Sequence, residues 1–238
     1  MSNLPPPPPI NSGPPPPPPP GPGGVPYSIP VSYGVTRPAA TGLRTAAIVL
    51  MWVSVAANVF LTVAAFSRKG AWDDAVPGGV TLDELPGLDD ADNRLGGALV
   101  LTFAVTLATA IVLAVWSYRT TSNGQTRGAR VSPGLAAGGW FIPIGWYFVS
   151  FSQLRKAMGG RGDATAVGWW QGLWVVATVA SGVALQLFDD DLDQTPSEVS
   201  DGLRNQSVGL VVATVLLAAA TIFAMRALRA VDDATSGP

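Results

Sequence analysis

The chain has no cysteine and no histidine. The first absence excludes disulfides, thiol nucleophiles and thiolate metal sites. The second removes the commonest general base, proton shuttle and metal ligand. Lysine is almost missing as well, since the basic residues are Arg apart from Lys69 and Lys156. Charged residues of both signs make up only 13% of the chain, against about 25% in ordinary soluble domains. Without His or Cys, no Ser-His-Asp, Cys-His or H-E-x-x-H constellation can be built, and no phosphate-cradling Gly loop stands in their place.

What the chain does have is apolar residues, 48% of the total, gathered into five long runs. These are Leu43–Phe66, Gly97–Tyr118, Leu135–Leu154, Ala166–Phe188 and Ser207–Met225. Each is about 20 residues long, the length a helix needs to cross roughly 30 Å of hydrocarbon. None carries Asp, Glu, Lys or Arg in its apolar interior. The sequence therefore reads as an integral membrane protein with a helical membrane domain over residues 43–230 and a short tail at 231–238.

Residues 1–42 are a separate region. They hold 16 of the 22 prolines, mostly in the runs Pro5–Pro9 and Pro14–Pro20. Proline fixes φ near the polyproline II value and donates no backbone hydrogen bond, so this stretch reads as a disordered, extended cytoplasmic arm. It lacks the charged start, apolar centre and cleavage site of a secretory signal. Two uses fit it: a solvated spacer, or a docking strip for a cytoplasmic protein with an aromatic-lined groove.

Charge sets the expected topology. The connection Ser67–Gly96 carries seven acids, and the one after Phe188 carries six. Both connections flanking the third run are basic, with Arg119, Arg127 and Arg130 before it and Arg155, Lys156 and Arg161 after it. If all five runs span, the best orientation puts eight of the 14 basic residues inside. If the third run does not span, Arg37, Arg44, these six, Arg226 and Arg229 all lie inside, ten of the 14. Both termini are then cytoplasmic, in the cell membrane. The third run also contains Gly138-Gly139-Trp140-Phe141-Ile142-Pro143, where Gly weakens a helix and Pro143 removes a hydrogen bond. Broken backbone at membrane depth needs protein or water around it.

The fold expected is thus an all-α membrane protein with four transmembrane helices. A Gly/Pro-broken third segment, re-entrant or interfacial, or alternatively a fifth span, completes it. Trp116, Trp140, Trp146, Trp169, Trp170 and Trp174 all fall in the inner half. They read either as an interfacial aromatic belt or as a pocket of Trp140, Phe141, Pro143, Trp146, Trp169, Trp170 and Trp174. Arg127, Arg130, Arg155, Lys156 and Arg161 form a basic rim suited to anionic lipid headgroups. Nucleic-acid binding does not suit a membrane-bound rim without a binding fold. Asn58 and the face Thr102, Thr106 and Thr109 suit hydrogen bonds between helices. The pairs Gly168/Gly172 and Ala177/Ser181 suit close packing within the chain or, second, dimerisation. Asp189, Asp191 and Asp193 begin like a calcium loop, but Gln194 stands where Gly is required and Ser200 where Glu is required. No cofactor or metal site is expected.

The segment Gly138–Pro143 with its approach Arg127 and Arg130, followed by Trp169-Trp170-Gln171-Gly172-Leu173-Trp174, resembles a bacterial membrane family, the domain of unknown function 4328. The resemblance covers about residues 43–230. It implies a Pro-rich tail and five hydrophobic runs, and it brings no established function. Members usually continue after the position of Ile144 with Asn and a second Pro, where this chain has Gly145-Trp146-Tyr147-Phe148. A carboxylate usual in the following helix is replaced here by Arg155-Lys156. Three functions stay open on this reading. The first is a non-enzymatic membrane adaptor, the second a small transporter or pore with a cavity at the broken segment, and the third, least supported, a lipid-active enzyme.

Overall fold

A computed structural model describes residues 38–75, 86–142, 145–186 and 195–236. The arm and its Pro runs, Pro143 and the aspartates at 189–193 lie outside these residues, as does the side chain of Trp146. The described residues form six α-helices and a short 3-10 turn. They are α1 (Thr41–Ala75), α2 (Pro86–Thr126), α3 (Pro133–Gly138), the turn Gly139–Phe141, α4 (Gly145–Met158), α5 (Ala164–Gln186) and α6 (Pro196–Ser236).

The helices outrun the apolar stretches that nucleate them. α1 has 35 residues and α2 and α6 have 41 each, or about 50–60 Å at 1.5 Å per residue. Pro86 and Pro196 start α2 and α6, where a missing N–H is harmless. Charged extensions hold the far ends together: Lys69 pairs with Asp73 one turn on, and Arg68 pairs with Asp92 across to α2. At the other extreme α6 runs on through Val231, Asp232 and Ala234, all buried. Residues 231–236 are therefore helix and not the short tail that hydropathy alone suggested.

Helix direction follows from which ends touch. Arg44 at the start of α1 meets Asp232 at the end of α6, and Trp116 near the end of α2 meets the same carboxylate. At the opposite end Trp72 bonds the carbonyl of Pro196, and Ser200 bonds Asp73. Trp169 early in α5 stacks on Phe223 late in α6. So α1 and α5 run one way and α2 and α6 the other, as an antiparallel four-helix arrangement. A core at one end joins Leu61, Ala65, Leu95, Ala98, Ala184 and Leu210. A larger one at the other end is built on Met51, Leu113, Trp116, Trp140, Phe151, Trp170 and Leu228.

Much of the apolar surface faces outward. Val53, Phe60, Val63, Val100, Phe103, Val176, Val183 and Val215 are among the exposed large residues. In the most apolar stretch of α1, α2 and α6, only 39%, 28% and 28% of residues are buried inside the protein. A soluble fold would turn these faces inward, so this is the surface of a membrane protein. Among the described residues these three helices are the ones long and apolar enough to cross a bilayer. α5, the fourth expected span, falls below that measure of apolarity because its first half carries Trp169, Trp170, Gln171 and Trp174.

The third apolar run does not cross the bundle. It folds into α3 and α4, of 6 and 14 residues, with Ile142 extended between them. The two halves lie side by side. The N–H of Ser132 donates to Gln153 Oε1 at 2.9 Å, and Gly139 lies so close to Ser150 that a Cβ there would sit 2.4 Å from its Oγ. The base of this hairpin packs where Gly124 abuts Ala157. Nearer the tip, the Trp140 indole donates to Ser117 Oγ at 2.9 Å. Residue 117 lies about 10 Å further into the bundle than residue 124. The hairpin therefore enters from the end of the bundle and turns back inside it. Its tip presents Phe141, Ile142 and Phe148 outward.

Candidate functional site

The hairpin end of the bundle concentrates the residues of chemical interest. Asp232 lies at its centre, fully buried. One carboxylate oxygen accepts from the Trp116 indole N–H at 3.0 Å, and the other accepts from Arg44 at 3.2 Å. The Arg44 side chain keeps 21% of its surface in solvent while that of Asp232 keeps none. A single carboxylate thus ties together the start of α1 and the ends of α2 and α6. Sequence reasoning missed it because it took the last apolar position, Met225, as the end of the membrane helix. The signal was there: Thr221, Leu228, Asp232 and Thr235 continue one helical stripe at spacings of seven, four and three, and all four are buried.

Around this carboxylate the aromatic side chains divide. Trp140, Trp170 and Phe151 are fully buried and form one cluster. Trp140 stacks on Trp170 with ring centroids 6.0 Å apart, and Phe151 meets both edge-on at 5.4 and 4.8 Å. Each such contact is worth about 0.5–1.5 kcal/mol beyond the area it buries. Trp174 is buried one turn further along α5. These three tryptophans therefore pack in the core. The Trp170 indole N–H and the Ser150 hydroxyl are buried without a hydrogen-bond partner among the described residues. Phe141 and Trp169 are exposed, on the hairpin and on α5. Of the seven aromatic and proline positions singled out, Pro143 and the side chain of Trp146 lie outside the described residues.

The basic residues surround this end. Arg127 is half-buried and donates to the carbonyl of Ala234 at 3.2 Å, fastening the α2–α3 connection to the end of α6. Arg130, Arg155, Lys156 and Arg161 are exposed. Arg155 donates to Gln171 Oε1 at 2.6 Å, joining α4 to α5. Asp163 caps α5, accepting from the N–H of Thr165 at 2.9 Å. Hydrogen bonds from the Thr165 hydroxyl and then its backbone N–H hold this exposed carboxyl below its ordinary range. Gly159, Gly160 and Gly162 all have positive φ in the α4–α5 turn. Gly162 is also hemmed in by Met158 and the carbonyl of Ala230, 3.1 and 3.3 Å from where a Cβ would stand.

Polar residues deeper in the bundle join helices. Ser54 and Thr109 bond across α1 and α2 at 3.2 Å, and Thr62 and Thr214 across α1 and α6 at 3.3 Å. Thr102 donates to the carbonyl of Ala57 at 3.5 Å. Asn58 turns back to the carbonyl of Ser54 in its own helix. The expected packing role of Gly168 and Gly172 is not met among the described residues, because none of them lies within 4 Å of a Cβ at either. α5 packs through its opposite side, using Val167, Trp170, Trp174 and Ala177.

No curated protein and no solved structure matches this chain. Residues 80–233 match the family described as Domain of unknown function (DUF4328), from six residues before α2 to the residue after the buried carboxylate. That span holds the hairpin, the Trp cluster, the basic rim and Asp232, and the chain belongs to this family.

Proposed function

We propose that this protein is a non-enzymatic adaptor of the cell membrane. On this reading α1, α2, α5 and α6 are four spans, the α3–α4 hairpin is re-entrant, and both termini are cytoplasmic. One observation carries the orientation, the separation of charge between the two ends of the bundle. Arg44, Arg119, Arg127, Arg130, Arg155, Lys156, Arg161, Arg226 and Arg229 stand at or beside the hairpin end. Asp73, Asp74, Asp89, Asp90, Asp92, Glu198 and Asp201 stand at the other. Cytoplasmic ends of membrane proteins carry such an excess of Arg and Lys. The 23 residues of α5 reach about 34 Å, enough to cross, and its exposed Trp169 sits at the end where interfacial rings belong.

The hairpin end then offers a basic surface at the headgroup level. Arg130, Arg155, Lys156 and Arg161 meet anionic lipid headgroups there, at about 1 kcal/mol each. The Pro-rich sequence before α1 supplies the docking strip for a cytoplasmic protein. The packing of Trp140, Phe151 and Trp170 supports this reading over a transporter or pore, because these rings fill the space a cavity at the broken segment would need. A lipid-active enzyme has the least support, since Asp232 is paired and closed to solvent. Deleting residues 1–37 tests the proposal. The truncated protein should stay in the membrane and lose the cytoplasmic protein that co-purifies with the full chain. An unchanged set of co-purifying proteins refutes the adaptor function.

A further inference from the structure

The outer side of the α5–α6 pair is built differently from the rest of the bundle surface. An open, wholly apolar groove of roughly 450 Å³ runs along it, lined by Val176, Val179, Val183 and Ala184 of α5 with Gly209 and Val212 of α6. It exists because its walls are short: Gly, Ala and Val leave a channel where Leu or Phe would close it. Three of these valines are half exposed, at 52% each. Toward the hairpin end the same α5 stripe continues at helical spacing through Gly172 to Trp169. Gly172 is exposed, with nothing within 4 Å of a Cβ, so the channel stays open there.

The channel ends under a polar head. Trp169 stacks on Phe223 with centroids 5.9 Å apart, and the Arg226 guanidinium lies 5.9 Å from the centre of the same Phe223 ring. Arg226 is exposed, and among the described residues no carboxylate pairs with it. From Trp169 to Val179 the α5 axis advances about 15 Å, half the hydrocarbon thickness. A fixed cation and an indole at headgroup level, above an apolar channel one leaflet deep, match the shape and charge of a phospholipid.

We infer that this seam binds one anionic phospholipid of the hairpin-side leaflet, with its phosphate on Arg226 and an acyl chain along Gly172, Val176 and Val179. The inference rests on the membrane orientation given under Proposed function. It differs from the diffuse basic rim in having a single address. Arg226 lies against the Phe223 ring, 5.9 Å from its centre, and the absent side chain at Gly172 makes room for the chain. A zwitterionic lipid fills the channel equally well but adds its own cation beside Arg226, which lowers its affinity.

The full-length protein, extracted in mild detergent, is incubated with equal amounts of phosphatidylglycerol and phosphatidylcholine, and retained lipid is counted by native mass spectrometry. The parent should retain one phosphatidylglycerol in preference. Arg226→Gln should lower that preference about five-fold, the equivalent of 1 kcal/mol. Gly172→Leu has room to fold and should reduce retention of both lipids. Arg204→Gln, at the opposite end of the bundle, should match the parent. Parent-like preference in Arg226→Gln overturns the site, and so does parent-like retention in Gly172→Leu. A protein that leaves the membrane fraction without detergent overturns the membrane orientation itself and this site with it.

Discussion

Removing one member of the Arg44–Asp232 pair should have unequal effects depending on which member goes. Arg44→Gln leaves a carboxylate with no solvent exposure and only the Trp116 N–H for company. Removing one partner of a buried pair costs about 3–5 kcal/mol. The lower end, about 3 kcal/mol, applies here because Arg44 itself is 21% exposed and the pair is partly hydrated. Asp232→Asn is milder. The amide oxygen still accepts from Trp116, and Arg44 can turn to water, so the loss is about 1–2 kcal/mol. The double variant removes both charges and should be about as stable as Asp232→Asn alone, giving a coupling of about 3 kcal/mol, the whole of the Arg44→Gln loss. Thermal or SDS unfolding of the purified protein in one detergent ranks the four forms. Additive losses, or an Arg44→Gln no worse than Asp232→Asn, would refute the idea that Asp232 is a buried charge held by Arg44.

Three further outcomes are expected. Single cysteines replacing Arg130 and Arg161, which flank the hairpin on ordinary backbone, should be labelled by a membrane-impermeant reagent from the same side; labelling from opposite sides would restore the five-span alternative. Trp170→Ala should destabilise by about 3–5 kcal/mol and speed proteolysis at Arg161, whereas Trp170→Phe should cost well under half of that because the Trp170 N–H makes no hydrogen bond among the described residues; equal cleavage rates in the two variants would remove the Trp140–Trp170–Phe151 cluster as the anchor of the hairpin. Gly139→Ala should cost about 1–3 kcal/mol, since its Cβ meets Ser150 Oγ at 2.4 Å, and Ser150→Ala should recover part of that loss in an unfolding assay.

The sequence exposed some of this fold and hid the rest for identifiable reasons. Hydropathy located every long helix, because each must be apolar over a bilayer's thickness. The break at Pro143 was visible because Gly and Pro act on the backbone itself, whatever surrounds them. The contact between Trp140 and Trp170 followed once the third segment was folded back. Their burial did not follow, because an indole suits a core and an interface alike, and only the packed face of α5 decides between them. Asp232 was missed for a related reason. A charge at a helix end reads as solvated until the stripe through Leu228 and Thr235 is continued past the apolar run. Gly168 and Gly172 carried the reverse lesson: small residues permit close approach, but they do not say which neighbour approaches, and among the described residues none does.

The parity of the crossings ties these observations into one argument. Arg44 and Asp232 are 188 residues apart, yet they meet at 3.2 Å. With α1 and α6 each running the length of the bundle, that contact requires an even number of crossings between the two ends of the chain. Five long apolar runs supply an odd number, so one must turn back. Only the third is broken by Gly and Pro, and only it has more basic than acidic residues in both flanking connections. The buried ion pair is therefore a record of the topology as well as a source of stability. On the proposed topology, a rearrangement that drove α3 and α4 through the membrane would carry the end of α6 to the acidic side. It would strand the Asp232 carboxylate without its cation, at the several kcal/mol that an unpaired buried charge costs.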